Sequence, residues 1–81
     1  LWFSTARYTD SIGAYTRALE LQMKDPQVGY LNRGFAHERL GQFEQALADY
    51  RRAVEIAPDW TLAQQKLQVL EQRLSGGADQ E

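Results

Sequence analysis

Apolar residues recur at three- and four-residue steps along most of the chain. Between Val28 and Leu40 they are Val28, Leu31, Phe35, Ala36 and Leu40, a spacing that predicts an amphipathic helix. Asp25-Pro26 ahead of it reads as an N-cap followed by proline at the first helical position, where the missing N–H costs nothing. Gly41 reads as its C-terminal stop. A second helix is predicted from about Glu44 to Ala57, with Ala46, Leu47, Tyr50, Ala53, Val54 and Ala57 on its apolar side. Glu44 and Asp49 in its first half and Arg51 and Arg52 in its second suit the helix dipole, and Pro58 cannot continue it. Asp59 then caps a helix carrying Leu62, Ala63, Lys66, Leu67, Leu70 and Leu74. That helix is expected to end near Leu74 at Ser75-Gly76-Gly77, leaving Ala78 to Glu81 as a disordered tail. Upstream, Ile12, Tyr15, Ala18, Leu19 and Met23 predict one more helix over Thr9 to Met23. No strand-like alternation of useful length occurs, so the fold class is all-α.

The pattern repeats. Displaced by 35 residues, Tyr15 falls on Tyr50, Arg17 on Arg52, Ala18 on Ala53 and Glu20 on Glu55. Similar pairs fill the gaps: Tyr8 with Phe43, Ser11 with Ala46, Ile12 with Leu47, Leu19 with Val54 and Leu21 with Ile56. A period in this range built from helix pairs marks a solenoid, and a one-residue insertion near Asp25 reconciles it with a 34-residue helix–turn–helix unit.

The stretch from Gln27 to Trp60 resembles one complete tetratricopeptide repeat. Tyr30 occupies the position of the family's Trp, Gly34 that of its Gly, and Gly41 with Phe43 forms the usual turn. Ala46, Tyr50, Ala53 and Pro58 complete the pattern; Arg33 departs from the usual Leu and His37 from the usual Tyr. Small residues at 34 and 46 let paired helices approach, Ala53 admits the next repeat, and Tyr30, Phe43 and Tyr50 fill the space left over. Tyr8 to Met23 then corresponds to the second helix of a preceding unit, with Leu1 to Thr5 as the last turn of its first. Trp60 to Leu74 corresponds to a closing helix whose polar face is Gln64, Gln65, Gln68, Gln72 and Arg73. The resemblance implies antiparallel helical hairpins stacked as a short right-handed superhelical array over residues 1–74, with 75–81 as a tail.

It also implies a function. In this family the first helix of each pair lines a concave groove that holds peptide segments. Carried over residue by residue, the groove candidates are Val28, Leu31, Asn32, Phe35, Glu38 and Arg39 on the complete unit, and Leu62, Gln65, Lys66 and Val69 on the closing helix. Phe35 either faces this groove or packs on a neighbouring helix. One subfamily clamps a C-terminal Asp carboxylate with Lys, Asn and Arg side chains. Asn32 matches one of its positions and Lys66 can replace its Arg, but Leu62 stands where a Lys belongs.

Composition narrows the alternatives. The chain has 81 residues, room for one small domain burying roughly 60–65% of its unfolded surface. It has no Cys, so neither disulfides nor thiolate metal sites contribute. A formal charge of −2 and a pI near 5.3 lack the basic stripe of a nucleic-acid binder. No apolar run approaches the ~20 residues of a membrane span, and no signal segment opens the chain. It begins Leu1-Trp2-Phe3 without an initiator Met and reads as a piece of a longer protein. A single His and no Cys leave no Cys–His nucleophile, and His37 has no local Ser and reads as a helix-packing residue. Carboxylates on helix surfaces rarely suffice for Zn, and Gly76-Gly77 opens no phosphate-binding helix. Glu38, Glu44 and Asp49 read as solvated charges. No cofactor and no enzymatic activity are expected. The leading expectation is a scaffold that binds another polypeptide. Two others are self-association through an apolar face at Trp2, Phe3, Ile12 and Tyr15, and a spacer within a longer solenoid. The family's usual location is intracellular, in the cytoplasm or an organelle interior.

Overall fold

A proline and a left-handed glycine set the ends of helix α2 (Pro26–Arg39). Asp25 stands at its N-cap with Pro26 next, though the Asp25 side chain makes no capping hydrogen bond. At the other end Gly41 adopts φ +78°. Gly41 N donates to Glu38 O at 3.0 Å and Gln42 N to His37 O at 2.8 Å, the paired closure that satisfies the last helical carbonyls. The chain reverses there into α3 (Phe43–Ile56).

The computed structural model describes residues 2–79, and the side chains of residues 6–75. Two further helices complete it, α1 (Trp2–Glu20) and α4 (Thr61–Asp79), and no strand occurs among the described residues. α1 differs from expectation at both ends. Trp2 to Thr5 belong to this helix rather than to a separate one, because Ala6 and Arg7 are strong helix formers and nothing between Thr5 and Tyr8 interrupts the ladder. The helix stops at Glu20, short of Met23, because Gln22 turns left-handed at φ +59°. Gln22 N then donates to Leu19 O and Met23 N to Ala18 O, repeating the closure at Gly41. Freed from the helix, Met23 packs across the turn: a Cβ on Gly29 would lie 2.6 Å from its Sδ. α4 runs past Ser75-Gly76-Gly77 to Asp79. Glycine costs a helix about 1 kcal/mol relative to alanine but keeps its N–H, so two of them need not end it. Gln80 and Glu81 of the expected tail lie outside the described residues.

α2 and α3 form an antiparallel hairpin, α1 packs on α2, and α4 packs on α3. The Cα extents are 43 × 35 × 16 Å. The thin dimension leaves little more than one layer of helices, so each helix finds its main partners next to it in sequence, as in a solenoid. Tyr50, Ala46, Ala53 and Ala63 are fully buried, Leu70 and Leu31 nearly so, and Tyr30, Phe43, Leu47, Val54, Trp60 and Leu67 close around them. Gly34 is where the hairpin is tightest. A Cβ there would meet Tyr50 Cδ1 and Cε1 at 2.9 Å and Asp49 Cβ at 3.1 Å. The small residues at 34, 46 and 53 and the ring of Tyr50 thus fit together as the repeat pattern requires.

Asp49 departs from the expectation of a solvated charge. It is 5% exposed and takes two hydrogen bonds from Arg33, Nε to Oδ2 at 2.9 Å and Nη2 to Oδ1 at 2.7 Å. Arg33 Nη1 also donates to Thr16 Oγ1 at 3.2 Å. The ion pair therefore joins α1, α2 and α3. Its hydrogen bonds to Asp49 outweigh the desolvation of Arg33 and raise the guanidinium pKa further. The reason for the burial is register. Asp49 lies three residues after Ala46 and four before Ala53, in the stripe that faces α2. His37, a packing residue, stands beside the pair: Nε2 is 3.8 Å from Asp49 Oδ2, and Nδ1 is 2.6 Å from Gln42 Oε1.

Candidate groove between the first helix of the repeat and the closing helix

α4 presents Leu62, Lys66 and Val69 at steps of four and three residues, so all three lie along one face. Helix α2 brings Phe35, Glu38 and Arg39 to the same side by the same spacing. Between the two helices lies a shallow cleft of about 290 Å³ lined by Glu38, Leu62, Gln65, Lys66 and Val69. Leu62 is 45% and Val69 52% exposed, so this cleft has an apolar wall open to solvent.

Nine of the ten residues expected in the groove fall into three groups. Five of them line the cleft directly, namely Glu38 with the four from α4. Phe35 and Arg39 adjoin it through Lys66, and Phe35 is half-buried rather than fully exposed or fully packed away. Val28 is exposed and Asn32 half-buried, both one or more turns toward the start of α2. Leu31 is the exception: it is 5% exposed and belongs to the core cluster with Tyr50 and Leu70. The three- and four-residue pattern that marked it as apolar served packing against α3 and α4, and no groove surface remains on it.

Phe35 organises the charges here. Arg39 lies over its ring at 5.0 Å from the centroid and Lys66 at 4.8 Å, cation–π geometry. Tyr8 of α1 meets the same ring edge-on, with centroids 6.4 Å apart. Glu38 is committed elsewhere. Its Oε1 accepts from the Tyr50 hydroxyl at 2.7 Å and its Oε2 from Arg73 Nη1 at 3.1 Å. Burial, followed by that bond to Glu38, pushes the Tyr50 phenol well above the ordinary tyrosine range. Among the described residues no carboxylate forms an ion pair with Arg39 or Lys66. Among the described residues Glu38, the acid that lines the cleft, is thus already matched by Arg73, while Lys66 in the cleft and Arg39 beside Phe35 have no such partner.

Sequence reasoning placed Glu38 and Lys66 in the groove but missed two features. Tyr8 reaches Phe35 from a helix that the repeat logic assigns to the other row. Arg73, read as part of an outward polar face, folds back onto Glu38. The other polar residues of that face, Gln64, Gln65, Gln68 and Gln72, are exposed as expected, and Gln64 donates to the Pro58 carbonyl. On α1, Ile12 and Tyr15 are half-buried; the side chains of Trp2 and Phe3, expected beside them, lie outside those described.

No group of three or more metal-ligating side chains converges among the described residues. Among the described residues no helix is long and apolar enough to cross a membrane.

Residues 28–59 match the family model of the tetratricopeptide repeat. Over 58 residues, 72% of this chain, the sequence is 33% identical to an Hsp70-Hsp90 organizing protein 2 of Arabidopsis thaliana, covering 10% of that protein. Over 75 residues, 91% of the chain, it is 29% identical to a DnaJ homolog subfamily C member 7 homolog of Schizosaccharomyces pombe, covering 16% of it. The chain thus spans a small fraction of the length of these relatives. No solved structure matches it.

Proposed function

Residues 28–59 are a tetratricopeptide repeat, a module that generally mediates protein–protein interaction, and we propose that the chain binds a segment of another polypeptide in the cleft between α2 and α4. One observation carries this reading: Leu62 and Val69 remain about half exposed beside a concave surface that already contains polar partners. Exposed apolar residues grouped in a concavity are the usual mark of a binding surface. The relatives support a role in protein association, since one is named as an organizing protein for Hsp70 and Hsp90. Their larger size leaves whole-protein partners outside what one repeat specifies. The same relatives and the family's habit favour an intracellular setting.

The test is a paired capture experiment. Wild type, a Leu62→Ser, Lys66→Ser, Val69→Ser variant and a control Gln45→Ser, Arg52→Ser variant are compared as baits at matched helicity. All five positions are on exposed or half-buried surface, so each variant should keep its circular dichroism spectrum. Partners retained by wild type and control but lost by the cleft variant support the groove. Equal retention by all three places binding on another surface.

A further inference from the structure

We propose that Met23 is an oxidation site, and that conversion of its thioether to the sulfoxide releases helix α1 from α2. This depends on neither the groove nor a ligand.

Met23 is the one methionine of the chain, and it stands in the turn between α1 and α2. Gln22 adopts φ +59°, which ends α1, and Met23 N donates back to Ala18 O at 3.1 Å. The side chain that follows is thereby aimed across the turn. Its Sδ settles on the bare backbone of Gly29, a buried residue of α2. A Cβ at Gly29 would lie 2.6 Å from that sulfur and 3.1 Å from Leu19 Cδ2. Sulfur and a leucine methyl thus fill the space that a side chain at position 29 would take, a use suited to a soft, unbranched residue. Met23 itself is half-buried, which leaves its side chain within reach of a small oxidant in solution.

Placement makes this contact matter. α1 is an end helix of an array 16 Å thick, and α2 is its main partner. Tyr8 meets Phe35 edge-on toward the start of α1, and Thr16 accepts from Arg33 further along. Leu19 and Met23 supply the apolar contact at its C-terminal end. No second layer of helices backs that contact, so what weakens it is not made good by other packing.

The reaction is a two-electron oxygen transfer from a peroxide. A sulfur lone pair attacks one oxygen of hydrogen peroxide, and the S–O bond forms as the O–O bond breaks. The departing hydroxide takes the proton left on the transferred oxygen and leaves as water. Sulfur is oxidised and the peroxide is reduced. The product is a polar, chiral side chain in place of a flexible apolar one. Its oxygen, directed inward, enters space that is already filled. Directed outward, it still leaves a polarised sulfur against Leu19, whose side chain offers no hydrogen bond.

The test treats the full chain with hydrogen peroxide and follows it by peptide mass mapping, amide hydrogen exchange and thermal melting. Met23 should gain one oxygen atom. Exchange across α1 should rise by about tenfold or more while that of α3 stays unchanged. The melting midpoint should fall by about 5 °C or more. Methionine sulfoxide reductases should restore both values. Met23→Leu should show neither change under peroxide, which separates Met23 from oxidation of tryptophan. Met23→Gln, which carries a polar group at similar length without any oxidant, should reproduce the faster exchange. A folded chain that resists peroxide under conditions that oxidise it in urea has a sealed sulfur, and the site is then withdrawn. Sulfoxide that leaves exchange and midpoint at their starting values overturns the release of α1. Faster exchange throughout, α3 included, overturns its selectivity.

Discussion

Arg33 grips Asp49 across the helical hairpin through two parallel hydrogen bonds of 2.9 and 2.7 Å, at a position where the acid is almost sealed from solvent. Such a pair adds less stability than its geometry suggests, because both charges are desolvated to form it, yet breaking it by half is severe. Arg33→Leu restores the residue usual in the repeat and strands Asp49. It should destabilise by about 3–5 kcal/mol. Replacing both, Arg33→Leu with Asp49→Leu, should recover most of that loss. Urea denaturation of the single and double variants measures the difference, and a fully stable Arg33→Leu single variant would contradict the account.

Two glycines in helices should respond oppositely to alanine. Gly34→Ala drives a Cβ to within 2.9 Å of the buried Tyr50 ring and 3.1 Å of Asp49, which Arg33 holds in place. Neither neighbour can yield cheaply, so overpacking of about 1–3 kcal/mol outweighs the gain in helix propensity. Gly13→Ala, with nothing within 4 Å of its new Cβ, should instead stabilise by up to about 1 kcal/mol. Thermal melts should therefore shift in opposite directions, by several degrees for each kcal/mol in a chain this small.

The fold was legible from the sequence because its determinants are local and periodic. Helical spacing, Pro26, Gly41 and Pro58 each act within a few residues of where they stand, and the offset pairing of Tyr15 with Tyr50 exposed the repeat. What escaped notice required knowing which face was buried. Asp49 shares the register of Ala46 and Ala53, and Arg33 shares that of Tyr30 and His37, so an acid and a base both fell on the facing stripes. That coincidence was visible, but charge is so commonly exposed that each was read alone. Leu31 failed in the reverse sense: an apolar residue on the groove-lining helix was assigned to the groove although the core claimed it. The Arg73–Glu38 contact joins residues 35 positions apart and depends on how α4 docks, which no local signal encodes.

The two turns invite a swap experiment. Gln22 and Gly41 both take left-handed conformations, at φ +59° and +78°, but only glycine does so without penalty. Gln22→Gly should gain up to about 1–2 kcal/mol and Gly41→Ala should lose about the same. Equilibrium unfolding in urea, at unchanged slope, reads both.

Alkaline pH should unfold the chain partly through Tyr50. Its phenol is held above the ordinary value near 10 by burial and by donation to Glu38. A raised folded-state pKa means stability that is intact below pH ~10 and declines as pH climbs beyond it, because the unfolded phenol then releases its proton first. Tyr50→Phe removes that dependence while forfeiting the hydrogen bond. The urea midpoint should thus be lower for the variant at pH 8 but fall less steeply toward pH 11, with lysines and the other tyrosines giving a common background.

The bond from Arg73 to Glu38 has a consequence for how occupancy and architecture are linked. Both Lys66 and Arg73 arrive at the cleft on α4, whereas Glu38 and Arg39 belong to α2. With α4 docked the local balance is two positive charges in excess; with α4 detached, Arg39 and Glu38 alone remain and the balance is zero. The closing helix is therefore the donor of the cleft's sign as well as one of its walls. An anionic ligand that binds only the docked state must, by mass action, tighten the docking of α4. For such a ligand, binding and the sealing of the array's end would form a single equilibrium.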